Sequence, residues 1–275
     1  MSEMHSVEAI DTAVDTQRKD LLIDLVIFDL DDTLYPEIDF VRSGFGAVSR
    51  AFATASLPPA YLLAKMEEFY HVDRRHVFDL LAQELAGARE YPCSDPLELS
   101  RRMIECYRAH PPEIQLYEDA AVTLESLRNL GIRIGLITDG YWEVQERKVE
   151  ALGLAGIIEL VICTDKLAPG RVYWKPSTRA FEIALGYFGV KPERSCYVGD
   201  NPAKDFAGPA ALGMKTVWVR RKDGVYYELT GKDLAVGERV RDDLTQRKNT
   251  TVRVPTYEVE SLTELVMICT GDNLR

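Results

Sequence analysis

The sequence predicts an α/β fold: a doubly wound, Rossmann-like parallel sheet with an α-helical subdomain inserted after the first strand. Several short runs are mostly apolar and β-branched rather than alternating, which is typical of strands covered on both faces. Helical patterns separate these runs in the second half of the chain, and this alternation indicates parallel β-α-β units. Between Pro36 and about Leu116 the patterns are helical only, which indicates an insertion.

The strands and helices of the sheet are predicted in the following order. Strands are expected at 24–30, 133–139, 158–164, 195–200 and 215–220. Helices are expected at 119–131, 141–154 and 177–190, where apolar residues recur at helical spacing. Residues 257–268 predict a short final strand followed by a helix.

The chain is expected to divide into a tail, a core, a cap and a polar extension. The core is expected to comprise residues 21–35 and 116–275, and the helical cap residues 36–115. Residues 1–20 are expected to form a mobile N-terminal tail. Within the core, residues 220–257 are expected to form a polar extension over one sheet edge. Within the cap, helices are expected near 40–55, 60–71, 73–87 and 96–109.

Composition restricts the class of protein. The 275 residues are 46% apolar and 28% charged, which is ordinary for a globular protein, and the net charge of −11 argues against a nucleic-acid partner. No signal peptide and no run near the ~18 apolar residues of a membrane span is present, so no membrane partner is expected. The five cysteines lack C-x-x-C spacing and indicate free thiols in a cytoplasmic protein. The oligomeric state stays open.

Polar residues gather where the predicted strands end. The first strand ends at Asp29 and Asp31, the second at Thr138-Asp139-Gly140, and the fourth at Asp200 with Asp205 beyond it, while Lys175 follows the third. In open α/β sheets, ligands bind at the carboxyl ends of the strands. These residues are therefore expected to form one site.

The residue types at these ends are suited to phosphoryl transfer. Of two carboxylates held on one loop, one can attack an electrophile while the other handles a proton. A third carboxylate, Asp200, would complete an oxygen-rich site for Mg²⁺, and Lys175 adds a fixed positive charge. Thr138 and backbone N–H groups near Gly140 are candidates for holding phosphate oxygens.

Four motifs in order resemble the haloacid dehalogenase superfamily, in particular its phosphatases with a helical cap after the first strand. They are "DLDDT" at 29–33, "LIT" at 136–138, "KP" at 175–176 and "GDNPAKD" at 199–205, and the resemblance covers nearly all of 24–220. It implies that Asp29 is the nucleophile that forms an aspartyl-phosphate. Asp31 would protonate the leaving group and then activate the hydrolytic water.

The same resemblance implies Mg²⁺ as the cofactor and a small phosphorylated metabolite as the substrate. Mg²⁺ would be held by Asp29, the Asp31 backbone carbonyl and Asp200, with Asp205 supporting from nearby. Thr138 and Lys175, together with the Asp139–Gly140 segment, would bind the transferring phosphoryl group. The side chains of Asp139 and Asp32 are expected to be structural.

Alternatives remain open from the sequence. Aspartate at position 31 favours phosphatase or phosphomutase chemistry over dehalogenation in this superfamily. The "DDTLYP" stretch also resembles pyrimidine 5′-nucleotidase-like members. Aromatic residues could line one cleft and stack on a base or sugar, or could simply pack cap against core: Tyr35, Tyr141, Trp142, Tyr173 and Trp174. A regulatory protein that keeps the fold is the non-enzymatic alternative.

Overall fold

A computed structural model describes residues 21–86, 95–222, 224 and 253–271. It divides into two compact units. The first unit is built from the described parts of Met1–Pro36, Leu116–Gln145 and Gly153–Arg275, and the second from Glu37–Gln115 and Glu146–Leu152. The predicted tail at 1–20 and most of the predicted extension at 220–257 lie outside the described residues.

The first unit contains a six-stranded sheet of order β3-β2-β1-β4-β5-β6. Its strands are β1 Leu25–Phe28, β2 Arg133–Thr138, β3 Leu160–Cys163, β4 Ser195–Gly199, β5 Lys215–Val219 and β6 Tyr257–Val259. Every pairing is parallel, and β1 lies between β2 and β4, with Ile27 opposite Gly135 and Tyr197. The predicted doubly wound parallel sheet is confirmed.

Burial explains why these runs form strands. All four residues of β1 are fully buried, as expected for a parallel sheet covered on both faces. Ile27 and Tyr197 share a core cluster with Phe181, whose ring meets that of Tyr197 edge to face at 4.9 Å between centroids. Such an arrangement favours one orientation of the tyrosine ring.

The helices follow the predicted order. They are α1 Glu37–Ala51, α2 Pro59–Val72, α3 Val77–Leu85, α4 Pro96–Ala109, α5 Glu118–Asn129, α6 Trp142–Ala151, α7 Arg179–Phe188, α8 Ala207–Ala211 and α9 Glu264–Thr270. Sequence periodicity did not predict α8, because five residues are too few to show a helical period. Helix α6 belongs to both units, passing from the first to the second after Gln145.

The second unit is helical throughout its described residues. Helices α1 to α4 enclose an apolar core that includes Phe45, Leu62, Leu81 and Met103. Proline stands in the first turn of α2 and of α4, where its missing N–H costs nothing. Asp95 caps α4 by accepting a hydrogen bond of 3.0 Å from the Leu97 N–H.

The C-terminal segment is tied to the loop after β1 through Arg221. This guanidinium donates to the Asp119 carboxylate at 2.7 Å and to the Thr33 carbonyl at 2.6 Å. The same Asp119 oxygen accepts the Leu262 N–H at 2.8 Å. Burial alone would raise the pKa of Asp119, but Arg221 and the Leu262 N–H lower it below its usual value. The Asp119 carboxylate therefore stays charged and binds both Arg221 and the backbone at Leu262.

Two sequence-based expectations can be compared with the described residues. No described helix combines the length and the apolar character that crossing a bilayer requires. None of the described cysteines, Cys106, Cys163, Cys196 and Cys269, forms a disulfide, as predicted, and Cys93 lies outside the described residues.

Candidate active site

A buried lysine forms the centre of the site at the carboxyl end of β1. The Lys175 ammonium lies 2.7 Å from Asp29 Oδ1 and 2.9 Å from Asp205 Oδ1, and it donates a hydrogen bond of 2.8 Å to Tyr197 Oη. Asp29, Lys175 and Asp205 are only 2%, 3% and 0% exposed. Burial alone would lower the pKa of Lys175, but the two carboxylates raise it, so the lysine is charged.

The second carboxylate oxygen of Asp29 has a different environment. Oδ2 is buried and accepts no hydrogen bond within the described part of the chain. The nearest cation on this side is the Lys204 ammonium, at 3.8 Å. Burial raises the pKa of Asp29, and Lys175 offsets this only in part. Oδ2 is therefore available to form a bond, and a nearby positive charge would stabilise the Asp29 carboxylate.

The loop after β4 is fixed by hydrogen bonds. Asp205 Oδ2 accepts the Asn201 N–H at 2.9 Å, and Asn201 Oδ1 accepts the Ala203 N–H at 3.0 Å. At its start, the Asp200 carbonyl accepts the Trp218 indole N–H at 2.9 Å. The loop is thus held at both ends. Both oxygens of the Asp205 carboxylate contact protein groups, Oδ1 the Lys175 ammonium and Oδ2 the Asn201 N–H.

Three carboxylates in this region can share a metal ion. One oxygen from each of Asp29, Asp200 and Asp205 lies within 4.8 Å of the others. Burial, followed by the repulsion from Asp205, raises the pKa of Asp200 well above its usual value. Crowding of three carboxylates, of which Asp29 and Asp205 are buried and Asp200 is partly exposed, is unfavourable without a cation. Hard oxygen ligands of this kind suit Mg²⁺.

Asp31 is oriented by two side chains that the sequence did not single out for this purpose. The Tyr35 hydroxyl donates to Asp31 Oδ1, and the Gln145 amide donates to Oδ2 at 3.5 Å. The amide oxygen of Gln145 accepts the Thr138 hydroxyl at 3.2 Å. Gln145 therefore links the predicted acid/base residue on the first loop to the predicted phosphate ligand on the second.

Asp139 holds the backbone of the lysine loop. Its Oδ1 accepts the Thr164 hydroxyl at 2.7 Å and the Lys175 backbone N–H at 3.2 Å. These contacts support the structural interpretation of the Asp139 side chain. The next residue, Gly140, has φ of +122°, a conformation that disfavours any residue with a Cβ.

The structure therefore brings the predicted residues together in two sets. One set is a charge cluster formed by Asp29, Asp200, Asp205 and Lys175. In the other set, Gln145 forms hydrogen bonds with both Asp31 and Thr138.

Three residues of the site were missed by the sequence reasoning: Tyr197, Lys204 and Gln145. Lys204 lies inside the quoted "GDNPAKD" motif, and its charge was the available signal. Tyr197 lies two residues before Gly199 on β4, so strand alternation places both on one face. Nothing in the sequence pattern distinguished Gln145 from other polar helical residues.

Two further expectations concern Asp32 and the aromatic residues. Asp32 has φ of +52°, a left-handed conformation that aspartate tolerates in tight turns, which supports a structural role. Tyr35 is fully buried beneath Asp31, so it cannot line an open cleft with the other aromatics. Tyr141, in contrast, is 46% exposed.

Gly199 is required where β4 meets the charge cluster. A Cβ at this position would lie 2.4 Å from Asp205 Oδ2, an oxygen already fixed by Asn201. We expect Gly199→Ala to cost about 1–3 kcal/mol of folding free energy and to lower activity by displacing Asp205 from Lys175. Gly186→Ala on the exposed face of α7 is the matched control, because nothing lies within 4 Å of its Cβ. Urea unfolding of both variants tests this, and equal stabilities would contradict it.

Comparison with known families agrees with this geometry. The family model described as haloacid dehalogenase-like hydrolase matches residues 23–213, and a second, HAD-hydrolase-like model matches 172–265. The first match contains all of the predicted site residues, from Asp29 to Asp205.

Similar proteins cover most of the chain. It is 31% identical over 195 residues to a phosphoserine phosphatase of Thermus thermophilus, covering 71% of this chain and 72% of that one. It is 29% identical over 242 residues to a glyceraldehyde 3-phosphate phosphatase of Methanothermobacter thermautotrophicus, covering 82% and 99%. The crystal structure of a HAD phosphatase from Thermococcus onnurineus shares the fold, with a TM-score of 0.51, 22% identity and coverage of 90% and 97%. The chain therefore belongs to the haloacid dehalogenase-like hydrolase family.

Proposed function

We propose that this hydrolase is a Mg²⁺-dependent phosphomonoesterase that acts on a small phosphorylated metabolite through an aspartyl-phosphate at Asp29. The observation that carries this proposal is the asymmetry of the Asp29 carboxylate. Lys175 holds Oδ1 at 2.7 Å, while Oδ2 is buried and has no hydrogen bond from any residue that the structure describes. A nucleophile needs one such oxygen, oriented by its partner and free to form a bond. The names of the two phosphatases from Thermus and Methanothermobacter support the substrate class.

The carboxylates fit Mg²⁺. Asp29 and Asp200 each have a raised pKa and each contribute one oxygen to the cluster whose members lie within 4.8 Å of one another, so both carboxylates favour a cation. Asp205 is already engaged by Lys175 and the Asn201 N–H, and these contacts support a secondary role for it at the metal site. We expect Asp29 and Asp200, with the Asp31 backbone carbonyl, to supply the protein ligands. When bound, Mg²⁺ would offset the negative charge of the carboxylates and of the phosphoryl group.

The proposed reaction has two half-steps. Asp29 Oδ2 attacks phosphorus, the bond from phosphorus to the ester oxygen breaks, and Asp31 donates a proton to the departing alkoxide. Water then attacks the same phosphorus, Asp31 takes a proton from it, and the bond to Asp29 breaks to release inorganic phosphate. Hydrogen bonds from Tyr35 and Gln145 keep the Asp31 carboxyl in one orientation for both transfers. The proposal includes residues 36–115 as the cap that selects the substrate.

Hydrolysis of p-nitrophenyl phosphate tests the proposal directly. Wild-type protein is expected to release p-nitrophenol and phosphate with added MgCl₂, to lose this activity in EDTA, and to regain it when Mg²⁺ is restored. Activity that never depends on a divalent ion would contradict the metal assignment. Failure to hydrolyse any member of a panel of phosphorylated sugars, hydroxy acids and amino acids would contradict the phosphatase assignment.

The same panel separates the enzymatic alternatives. A phosphomutase returns an isomer of the substrate rather than inorganic phosphate, which ³¹P NMR distinguishes. A pyrimidine 5′-nucleotidase-like enzyme turns over nucleoside monophosphates better than p-nitrophenyl phosphate. The complete burial of Tyr35 removes one of the aromatic side chains on which a nucleotide preference depended.

A further inference from the structure

The turn that follows β1, residues 30–35, determines where the Asp31 carboxyl points. An isolated β-bridge joins Asp31 to Tyr35, and the Tyr35 hydroxyl donates to Asp31 Oδ1. Inside the turn, the N–H groups of Thr33 and Leu34 donate to the Leu30 carbonyl at 3.3 and 3.0 Å. The contact between Asp31 and Tyr35 therefore depends on the shape of the turn between them.

Two consecutive carbonyls of this turn are held by residues from other parts of the chain. The Thr33 carbonyl accepts a hydrogen bond of 2.6 Å from the Arg221 guanidinium, and the Leu34 carbonyl accepts the Tyr117 N–H at 2.9 Å. The centre of the guanidinium lies 3.9 Å from the centre of the Tyr117 ring, which is a cation–π contact. The two residues that hold the turn therefore also hold each other.

Arg221 is itself fixed in place. Its side chain is only 8% exposed, and it donates to Asp119 Oδ2 at 2.7 Å. The same oxygen accepts the Leu262 N–H at 2.8 Å and the Ser261 hydroxyl at 3.3 Å. A planar guanidinium that is paired and stacked in this way has little freedom to move. Its contact with Thr33 can therefore impose a position on the turn.

We propose that Arg221 is a positioning residue for the reaction, which fixes the turn after β1 and, through it, the carboxyl of Asp31. This inference rests on the proposed role of Asp31 as acid and base. A proton donor must lie within hydrogen-bond reach of the leaving oxygen, and small displacements of such a group are costly in rate. Arg221 is therefore needed most where the reaction depends most on the proton from Asp31.

Two leaving groups of different basicity test this dependence. p-Nitrophenolate departs readily without a proton, whereas the alkoxide of an alkyl phosphate does not. Arg221→Lys keeps the positive charge but lacks the planar fork that spans the Asp119 carboxylate and the Thr33 carbonyl. For the alkyl phosphate that wild type hydrolyses fastest, we expect kcat/KM to fall about 10²-fold, and for p-nitrophenyl phosphate less than about tenfold.

Two further variants show whether the loss passes through Asp31. In an Asp31→Asn background, adding Arg221→Lys should leave the ratio of the two kcat/KM values unchanged, because the group through which Arg221 acts is gone. Asp119→Asn weakens the pairing of Arg221 without altering Arg221 itself. It should therefore reproduce the selective loss on the alkyl phosphate at smaller size.

Arg194→Lys is the matched control. Arg194 also donates to a carboxylate and to a carbonyl, to Asp24 Oδ1 at 2.6 Å and to Leu21 at 2.9 Å. It directly precedes Ser195 at the amino end of β4, whereas the site lies at the carboxyl ends of the strands. This variant is expected to keep the wild-type ratio of the two kcat/KM values.

Hydrogen–deuterium exchange measures the state of the turn without turnover. The Thr33 and Leu34 amides should exchange about tenfold faster in Arg221→Lys, and at the wild-type rate in Arg194→Lys. If wild type hydrolyses no phosphomonoester, the proposed function fails, and faster exchange in Arg221→Lys still supports its hold on the turn. Equal losses on the two substrates, wild-type exchange at Thr33 and Leu34, or the same selective loss in Arg194→Lys would each refute the role of Arg221.

Discussion

Asp29→Asn is expected to abolish phosphatase activity, with kcat falling at least about 10³-fold, while the fold is retained. An amide cannot form the acyl-phosphate bond that the mechanism requires, so the loss should appear in kcat for every substrate. The side chain is 2% exposed, and asparagine has nearly the same shape, so packing in β1 and its loop is preserved. Steady-state hydrolysis of p-nitrophenyl phosphate with Mg²⁺ measures the effect. Residual activity within tenfold of wild type would contradict the assignment of Asp29 as nucleophile.

The stability of the same variant has a predictable pH dependence in metal-free buffer. Burial and the repulsion from Asp205 raise the pKa of Asp29, while Lys175 and Lys204 oppose this rise without cancelling it. A raised folded-state pKa means that the stability associated with the protonated form is lost as pH rises from about 4, the unfolded value. Asparagine does not ionise and avoids that loss. Urea unfolding in EDTA should therefore show Asp29→Asn gaining on wild type as the pH increases from 4 towards 8.

Lys175→Met is expected to lower the free energy of unfolding by about 3–5 kcal/mol and to eliminate activity. The substitution leaves Asp29 and Asp205 buried without their shared cation, and removing one partner of a buried ion pair is costly. The three tryptophans, Trp142, Trp174 and Trp218, all belong to the sheet-containing unit, so fluorescence during urea unfolding reports on the affected region.

A double variant shows whether this cost is electrostatic. Lys175→Met combined with Asp205→Asn removes one of the two orphaned charges and should be at least about 1 kcal/mol more stable than Lys175→Met alone. A simple packing defect would not be relieved in this way. The prediction is wrong if Lys175→Met unfolds at the same urea concentration as wild type, or if the second substitution only adds to the damage.

Much of the site was predictable because parallel strands end at a common edge. Asp29, Thr138 and Asp200 each follow an apolar run of strand character, so their placement near one another depended only on the sheet being parallel. The order of the motifs along the chain then restricted the chemistry. This reasoning uses backbone topology, which the hydrophobic pattern specifies well.

The remaining features depend on side-chain directions that no periodic pattern encodes. Lys175 and Lys204 are both lysines close to motif residues. The Lys175 ammonium lies within 2.9 Å of three protein oxygens, whereas the Lys204 ammonium lies 3.8 Å from Asp29 Oδ2. Asp205 was predicted to support the metal site from nearby, but the sequence did not indicate that its two oxygens contact the Lys175 ammonium and the Asn201 N–H. The hydrogen bond from the Gln145 amide to Asp31 depends on which way the first turn of α6 directs this side chain, and the sequence pattern does not predict that direction.

The position of β1 in the middle of the sheet has a consequence for the newly made chain. Its two neighbours, β2 and β4, follow it only after the whole helical insertion has been synthesised. Asp29, the proposed nucleophile, is therefore synthesised long before Lys204 and Asp205, which complete the charge cluster. Because such distant pairings form late in folding, catalysis should begin only once β4 has docked. The time at which phosphate release begins during cell-free translation would then report when β4 joins the sheet.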